Sequence, residues 1–104
     1  MLTKNEILDY LREVKPKLQA DGIEKLGLFG SYAKDRADVA SDVDIVIKTT
    51  DDFVRKFRGF KGFIYLDELR DDFISKFKRQ VDLCDTASMP DEKQNTLLTG
   101  AIYV

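Results

Sequence analysis

The segment Asp42-Val43-Asp44-Ile45-Val46-Ile47-Lys48 constrains the fold more than any other stretch of the chain. Val43, Ile45 and Ile47 fall on one face and Asp42, Asp44 and Val46 on the other, the period-2 signature of a strand with a buried side. Aspartate is depleted in strands, yet two of them stand at i and i+2 at the start of this one, which sets two carboxylates about 7 Å apart on one face. A solvated outer face accounts for such a pair. So does a hard divalent cation, because Mg²⁺ prefers one or two carboxylates together with substrate phosphate oxygens.

The rest of the chain supplies the neighbours of that strand. Thr3 with Glu6 forms a capping box and Leu2 with Ile7 a hydrophobic staple, so a helix starts at about residue 4. Ile7, Leu11, Val14 and Leu18 give it one apolar stripe, Pro16 predicts a kink or early fraying, and Gly22 is its stop. Leu26 and Leu28 alternate in a first strand from Glu24 to Phe29, after which Ser31 is expected to cap a short helix across Tyr32 to Arg36. Beyond the Asp42 to Lys48 strand, Thr50 caps a short helix with acids (Asp51, Asp52) first and bases (Arg55, Lys56) last. Phe57 to Phe63 reads as a loop, and Leu66, Leu69, Phe73 and Phe77 as the stripe of a longer helix. Gln80 to Asp85 is a third strand, Ser88, Pro90 and Asp91 open a last helix, and Gly100 closes it. The tail Ile102-Tyr103-Val104 docks on the sheet or meets another protein. The order α-β-α-β-α-β-α predicts one small α/β-type domain over residues 1–104.

Composition narrows the chemistry. The 104 residues include no histidine, which removes Ser-His-Asp and Cys-His sites, imidazole acid–base work and every imidazole metal site. The single cysteine, Cys84, excludes an intramolecular disulfide and a Cys-rich zinc site. Catalysis in such a chain runs on carboxylates, hydroxyls, amines and hard cations. With 17 bases against 19 acids and a pI near 5.1, the balance speaks against nucleic acid as a partner. No apolar run approaches the ~20 residues of a membrane helix and no signal-peptide core is present, so the expected location is the cytoplasm.

Three features bear on a site. Gly30-Ser31 lies where a strand gives way to a helix; it is either an ordinary turn or a place where phosphate approaches the backbone. Asp82, between Val81 and Leu83, is either on the solvent face of an edge strand or half-buried. Gly30-Ser31 ends strand one and Asp42/Asp44 begins strand two, so one site requires these strands to be antiparallel. Asp82 also begins its strand, so strands two and three must run parallel, and the helix between Leu66 and Arg79 is long enough for that crossover. The expected sheet is mixed, in order 1-2-3, with helices on one face and three carboxylates beside a phosphate-binding turn on the other. The bases and aromatics interleaved from Lys56 to Phe63 read as a loop rather than a single-stranded nucleic-acid platform, and Cys84 as a small buried side chain.

Gly30-Ser31, ten intervening residues and Asp42-Val43-Asp44 together resemble the signature of the DNA polymerase β-type nucleotidyltransferase superfamily. The resemblance is strongest to the minimal nucleotidyltransferases that serve as antitoxins of HEPN/MNT toxin–antitoxin pairs. Lys25-Leu26-Gly27-Leu28-Phe29 ahead of the motif, Val81-Asp82-Leu83 and the ending Ala101-Ile102-Tyr103-Val104 extend it over nearly the whole chain. It implies a nucleotidyltransferase fold and Mg²⁺-dependent transfer of AMP from ATP to a hydroxyl, the expected acceptor being a tyrosine of a cognate HEPN toxin. Gly30, Ser31 and Lys34 would hold the nucleotide, Asp42 and Asp44 the metal, and Asp82 would be a metal ligand or the general base. Asp35 stands where such proteins often carry glycine. The alternatives are an antitoxin that acts by binding alone, and transfer to RNA or a small molecule.

Overall fold

A computed structural model describes residues Met1–Val104. Helix α1 spans Lys4–Ala20, and its capping box forms: the Thr3 hydroxyl oxygen accepts from the Glu6 N–H at 3.2 Å and its O–H donates to Glu6 Oε1 at 3.1 Å. The expected fraying at Pro16 does not occur. Arg12 and Pro16 both lie on the exposed side, where the carbonyl that proline leaves without a donor can meet water, and the last turn is held by buried Leu18.

Strands β1 (Ile23–Phe29) and β2 (Val43–Thr49) pair antiparallel, Leu26 opposite Ile47, Leu28 opposite Ile45 and Phe29 opposite Asp44. Between them α2 is a single turn, Gly30–Ala33, which corrects the expected helix from Tyr32 to Arg36. Phe29 is the capping residue and Ser31 makes no cap bond, because the chain already turns at Gly30, whose φ of 73° suits glycine. Asp35, at φ 57°, then diverts the backbone before Arg36 can join. Helix α3 (Asp51–Lys56) has the expected Thr50 cap, which accepts from the Phe53 N–H and donates to the Gly22 carbonyl at 2.7 Å.

Helix α4 runs Phe60–Phe77, so the expected loop from Phe57 to Phe63 shrinks to the residues before Phe60. Phe57 packs against Phe53 and Tyr65, while Phe60 and Phe63 point outward, 82% and 71% exposed. Helix α4 delivers the chain to β3 (Val81–Asp85), parallel to β2 with Val43 beside Val81 and Asp44 beside Asp82. After α5 (Asp91–Leu97) the tail forms a fourth strand, β4 (Ile102–Tyr103), antiparallel to β1. The sheet order is therefore β3-β2-β1-β4, the expected trio extended by one strand. Gly27 makes room for that strand: a Cβ there would stand 2.8 Å from the Ile102 carbonyl oxygen and 2.9 Å from the Tyr103 ring.

The core lies between one sheet face and the helices α1 and α4. Ile7, Leu11, Leu28, Val43, Ile45, Ile47 and Phe73 are at most 1% exposed there, and Tyr10 meets Phe73 edge-on. Burying each large apolar side chain is worth roughly 1.5–3 kcal/mol, which fixes β2 with its Val43 face inward and turns Asp44 to the other side. At the far end of β2, Asp85 accepts from the Thr49 hydroxyl at 2.6 Å and the Thr49 N–H at 3.1 Å, and the Thr86 hydroxyl donates to the Ile47 carbonyl. These bonds tie β3 to β2 at the end remote from the acids.

Candidate active site

Register alone brings the expected acids together. Because Asp44 and Asp82 are direct partners on adjacent parallel strands, with Val43 and Val81 facing the core on either side, both carboxylates leave the sheet on the same face. Phe29 is the partner of Asp44 on the other flank, so Gly30 arrives beside the Asp44 side chain. The approach is close enough that a Cβ on Gly30 would overlap the Asp44 carboxylate, 2.9 Å from its Cγ. Asp42 sits just outside β2, exposed, at the end of a loop shaped by Asp38: its Oδ1 accepts from the Ala40 N–H at 2.9 Å, and the Ser41 hydroxyl accepts from the Asp38 N–H at 2.9 Å. The Val43 N–H donates to the Gln80 carbonyl at 2.9 Å and fastens this loop to the entry of β3.

Electrostatically the cluster is unsatisfied. Partial burial pushes the Asp44 carboxyl above the ordinary carboxylate value, and the charges of Asp82 and then Asp42 push it further. Elsewhere acids find partners: Asp21 takes Lys56 at 2.9 Å and the Tyr65 hydroxyl at 2.8 Å, and Asp85 takes Thr49. No such donor of the chain reaches Asp42, Asp44 or Asp82. Carboxylate oxygens without a donor of the chain suit a hard divalent cation. The carboxylates do not close into a three-ligand cage. That openness also suits Mg²⁺, which is ordinarily held by one or two carboxylates and completes its shell with water and phosphate oxygens.

The other expected residues fall less uniformly. Ser31 lies half-buried in the first turn of α2, next to Gly30. Lys34 is exposed at the far end of that turn, and its methylene stem lies against Gly100 near the entry of β4. The charge of Asp35 is met by Lys4 of α1 at 3.1 Å. Cys84 shares the acid face and is half-buried; burial pushes its thiol up, as do Asp82 and Asp85. Lys78 and Arg79, which border a cleft beside Asp42, were not singled out by the sequence pattern, in which bases at a helix end read as dipole complements.

The chain matches the nucleotidyltransferase domain family over residues 6–103. It is 32% identical over 105 residues to the protein adenylyltransferase MntA of Thermococcus cleftensis, covering 100% of this chain and 98% of that one. Among solved structures it resembles a toxin–antitoxin complex with AMP-PNP, at TM-score 0.64 and 26% identity over 98% of this chain and 72% of that one. A structure described as a minimal nucleotidyltransferase shares the fold at TM-score 0.72 and 17% identity, over 97% of this chain and 95% of that one. A family match over nearly the full length, on a sheet that carries Gly30, Asp44 and Asp82 side by side, makes this chain a member of the nucleotidyltransferase domain family and a nucleotidyltransferase.

Proposed function

We propose that the chain is a protein adenylyltransferase: with Mg²⁺ it transfers AMP from ATP to a hydroxyl, a tyrosine, of a HEPN-type toxin, and acts in the cytoplasm as the antitoxin of that toxin. One observation carries the reading. Asp44 and Asp82 stand in register, unpaired, and the Asp44 carboxylate packs into the space that a side chain on Gly30 would fill, beside the turn that leads into α2. The 32% identical relative, named for protein adenylyltransfer, supports the reaction class, and the likeness to a toxin–antitoxin complex supports the partner.

The roles follow from position. Gly30 lets the triphosphate come against the main chain, and the Ser31 hydroxyl donates to a phosphate oxygen. Asp42 and Asp44 would hold Mg²⁺, which when bound would supply positive charge to offset that of the phosphates. Asp82 accepts the proton of the acceptor hydroxyl as its oxygen bonds to the α-phosphorus, and pyrophosphate leaves. Lys34, on a long stem beside the turn, can swing to the triphosphate when nucleotide binds.

The test is to incubate the protein with labelled ATP, Mg²⁺ and the product of the neighbouring gene, and to weigh that product by mass spectrometry. A gain of one or more AMP groups, absent with Asp42→Asn/Asp44→Asn, is expected. Neutralisation of the toxin by that double variant, with no mass gain in either case, would leave binding alone as the mechanism. Label appearing in RNA or a small molecule instead would replace the acceptor.

A further inference from the structure

We propose that the cleft between the loop entering β2 and the end of α4 binds an oxyanion group of the acceptor, through Lys78 and Arg79. The placement on the acceptor side rests on the nucleotide reading given above. The cleft measures about 370 Å³ and is bordered by Ser41 and Asp42 on one wall and by Ile74, Lys78, Arg79 and Gln80 on the other. That volume is in the range of pockets that hold small ligands or single side chains.

Arg79 is fixed and incompletely used. Its Nη1 donates to the Lys78 carbonyl at 2.9 Å, while its Nε is buried without a partner. A guanidinium with one recorded hydrogen bond keeps Nη donors free for a planar or tetrahedral oxyanion, and a small shift of the side chain on binding would give its shielded Nε–H a partner. Lys78 adds a second positive charge. It adopts a left-handed backbone, φ 56°, at the end of α4, and its ammonium has no ion-pair partner in the chain. The only opposing charge among the bordering residues is that of Asp42, which the proposed Mg²⁺ would take up.

Topology sets this cleft and the Gly30-Ser31 turn on opposite flanks of β2, with Asp42 bordering the cleft. Gly30 and Ser31 approach β2 from the β1 side, whereas Lys78, Arg79 and Gln80 lead into β3 on its opposite side. A triphosphate seated at Gly30-Ser31 therefore has β2 between it and Arg79. Asp82, the proposed base for the acceptor hydroxyl, belongs to the same strand that Arg79 leads into. Asp82 borders a second hollow with Leu66, Asp67 and Arg70 of α4, so it is a further segment of the acceptor, beyond the one that brings the hydroxyl, that would present its carboxylate or phosphate to the two cations.

Inorganic phosphate is the probe. In ¹⁵N-labelled protein the Nε–Hε resonance of Arg79, assigned by its loss in Arg79→Lys, is expected to move saturably as phosphate is added, with a midpoint raised tenfold or more in Lys78→Gln. The movement is expected to persist with Mg²⁺ and AMP-PNP bound. An unmoved resonance, or a midpoint unchanged in Lys78→Gln, overturns the site. Displacement of phosphate by AMP-PNP assigns the cleft to the donor nucleotide and overturns the acceptor reading. Lys78 is exposed, so its variant is expected to keep the wild-type amide spectrum. In the AMP-transfer assay, Lys78→Gln is expected to raise KM for the acceptor protein about tenfold with KM for ATP unchanged, and an unchanged acceptor KM overturns the proposal. Absence of any transfer by the wild type counts against the adenylyltransferase reading, while the phosphate titration still decides the cleft.

Discussion

Replacing Gly30 by alanine tests the site where backbone and catalytic chemistry meet. The left-handed φ of 73° costs an L-residue about 1–2 kcal/mol. The new Cβ would overlap the Asp44 carboxylate, so Asp44 must leave its rotamer at a further cost of about 0.5–1.5 kcal/mol. A stiffer unfolded chain returns about 0.4–1 kcal/mol. The balance is a loss of about 2 kcal/mol, which in a domain of this size lowers Tm by roughly 10 °C. Urea denaturation of Gly30→Ala, Asp44→Ala and the double variant separates the contributions. With the carboxylate gone only the backbone cost remains, so the two changes should show a coupling of about 1 kcal/mol, well outside the ~0.3–0.5 kcal/mol scatter of independent sites. Transfer activity should fall by about 100-fold in Gly30→Ala, because the displaced Asp44 no longer stands at the reacting phosphate. Additivity of the two substitutions, or a loss below about 0.5 kcal/mol, refutes the close packing of Gly30 on Asp44.

Asp44→Asn should abolish transfer while raising the stability of the metal-free protein by about 0.5–1 kcal/mol, a small figure because the carboxyl is partly solvated. The sign follows from its raised titration: ionisation of Asp44 destabilises the fold fully above its folded pKa, and this penalty fades as pH falls toward the ordinary value of 3.8. Urea midpoints at pH 7.0 and pH 4.0 check it, and a larger advantage at the lower pH would contradict the electrostatic account. Phe73→Ala should cost about 3–5 kcal/mol, since this ring is 1% exposed and packs on Tyr10 and Phe77. Circular dichroism on heating would show a domain near the edge of folding; a loss below about 2 kcal/mol would mean that Phe73 does not anchor α4.

What the sequence revealed depended on how local each signal was. The alternation of β2 and the requirement that Asp82 begin its strand led to the parallel pairing of Asp44 with Asp82 because strand geometry leaves few other ways to gather three acids. The helix caps at Thr3 and Thr50 were legible for the same reason, each being decided within three residues. Gly59 and Gly62 both read as loop residues, yet only Gly59 precedes the helix. Gly62 lies inside α4, where an added Cβ would come within 3.2 Å of the Phe57 carbonyl oxygen and 3.5 Å of the Phe53 ring, a crowding that suits glycine despite its ~1 kcal/mol propensity cost. Strand β4 was open to two readings because a two-residue strand carries no periodicity. It exists through distant partners, the Val104 N–H donating to the Leu26 carbonyl at 3.0 Å and Lys15 donating to the Val104 carbonyl oxygen at 2.6 Å. Lys78 and Arg79 escaped notice because nothing in a run of bases tells which guanidinium lacks a partner.

The lateral pairing of Asp44 with Asp82 also acts on the path to the native state. A slip of β3 by one residue would rotate Asp82 into the layer filled by Val43, Ile45 and Phe73, where an unpaired carboxylate cannot be hydrated, and would bring Val81 out to water. The acid is thus a checkpoint on strand alignment: the misaligned sheet is penalised by the same side chain to which we assign a role in the proposed reaction, so the two demands would fall on one residue.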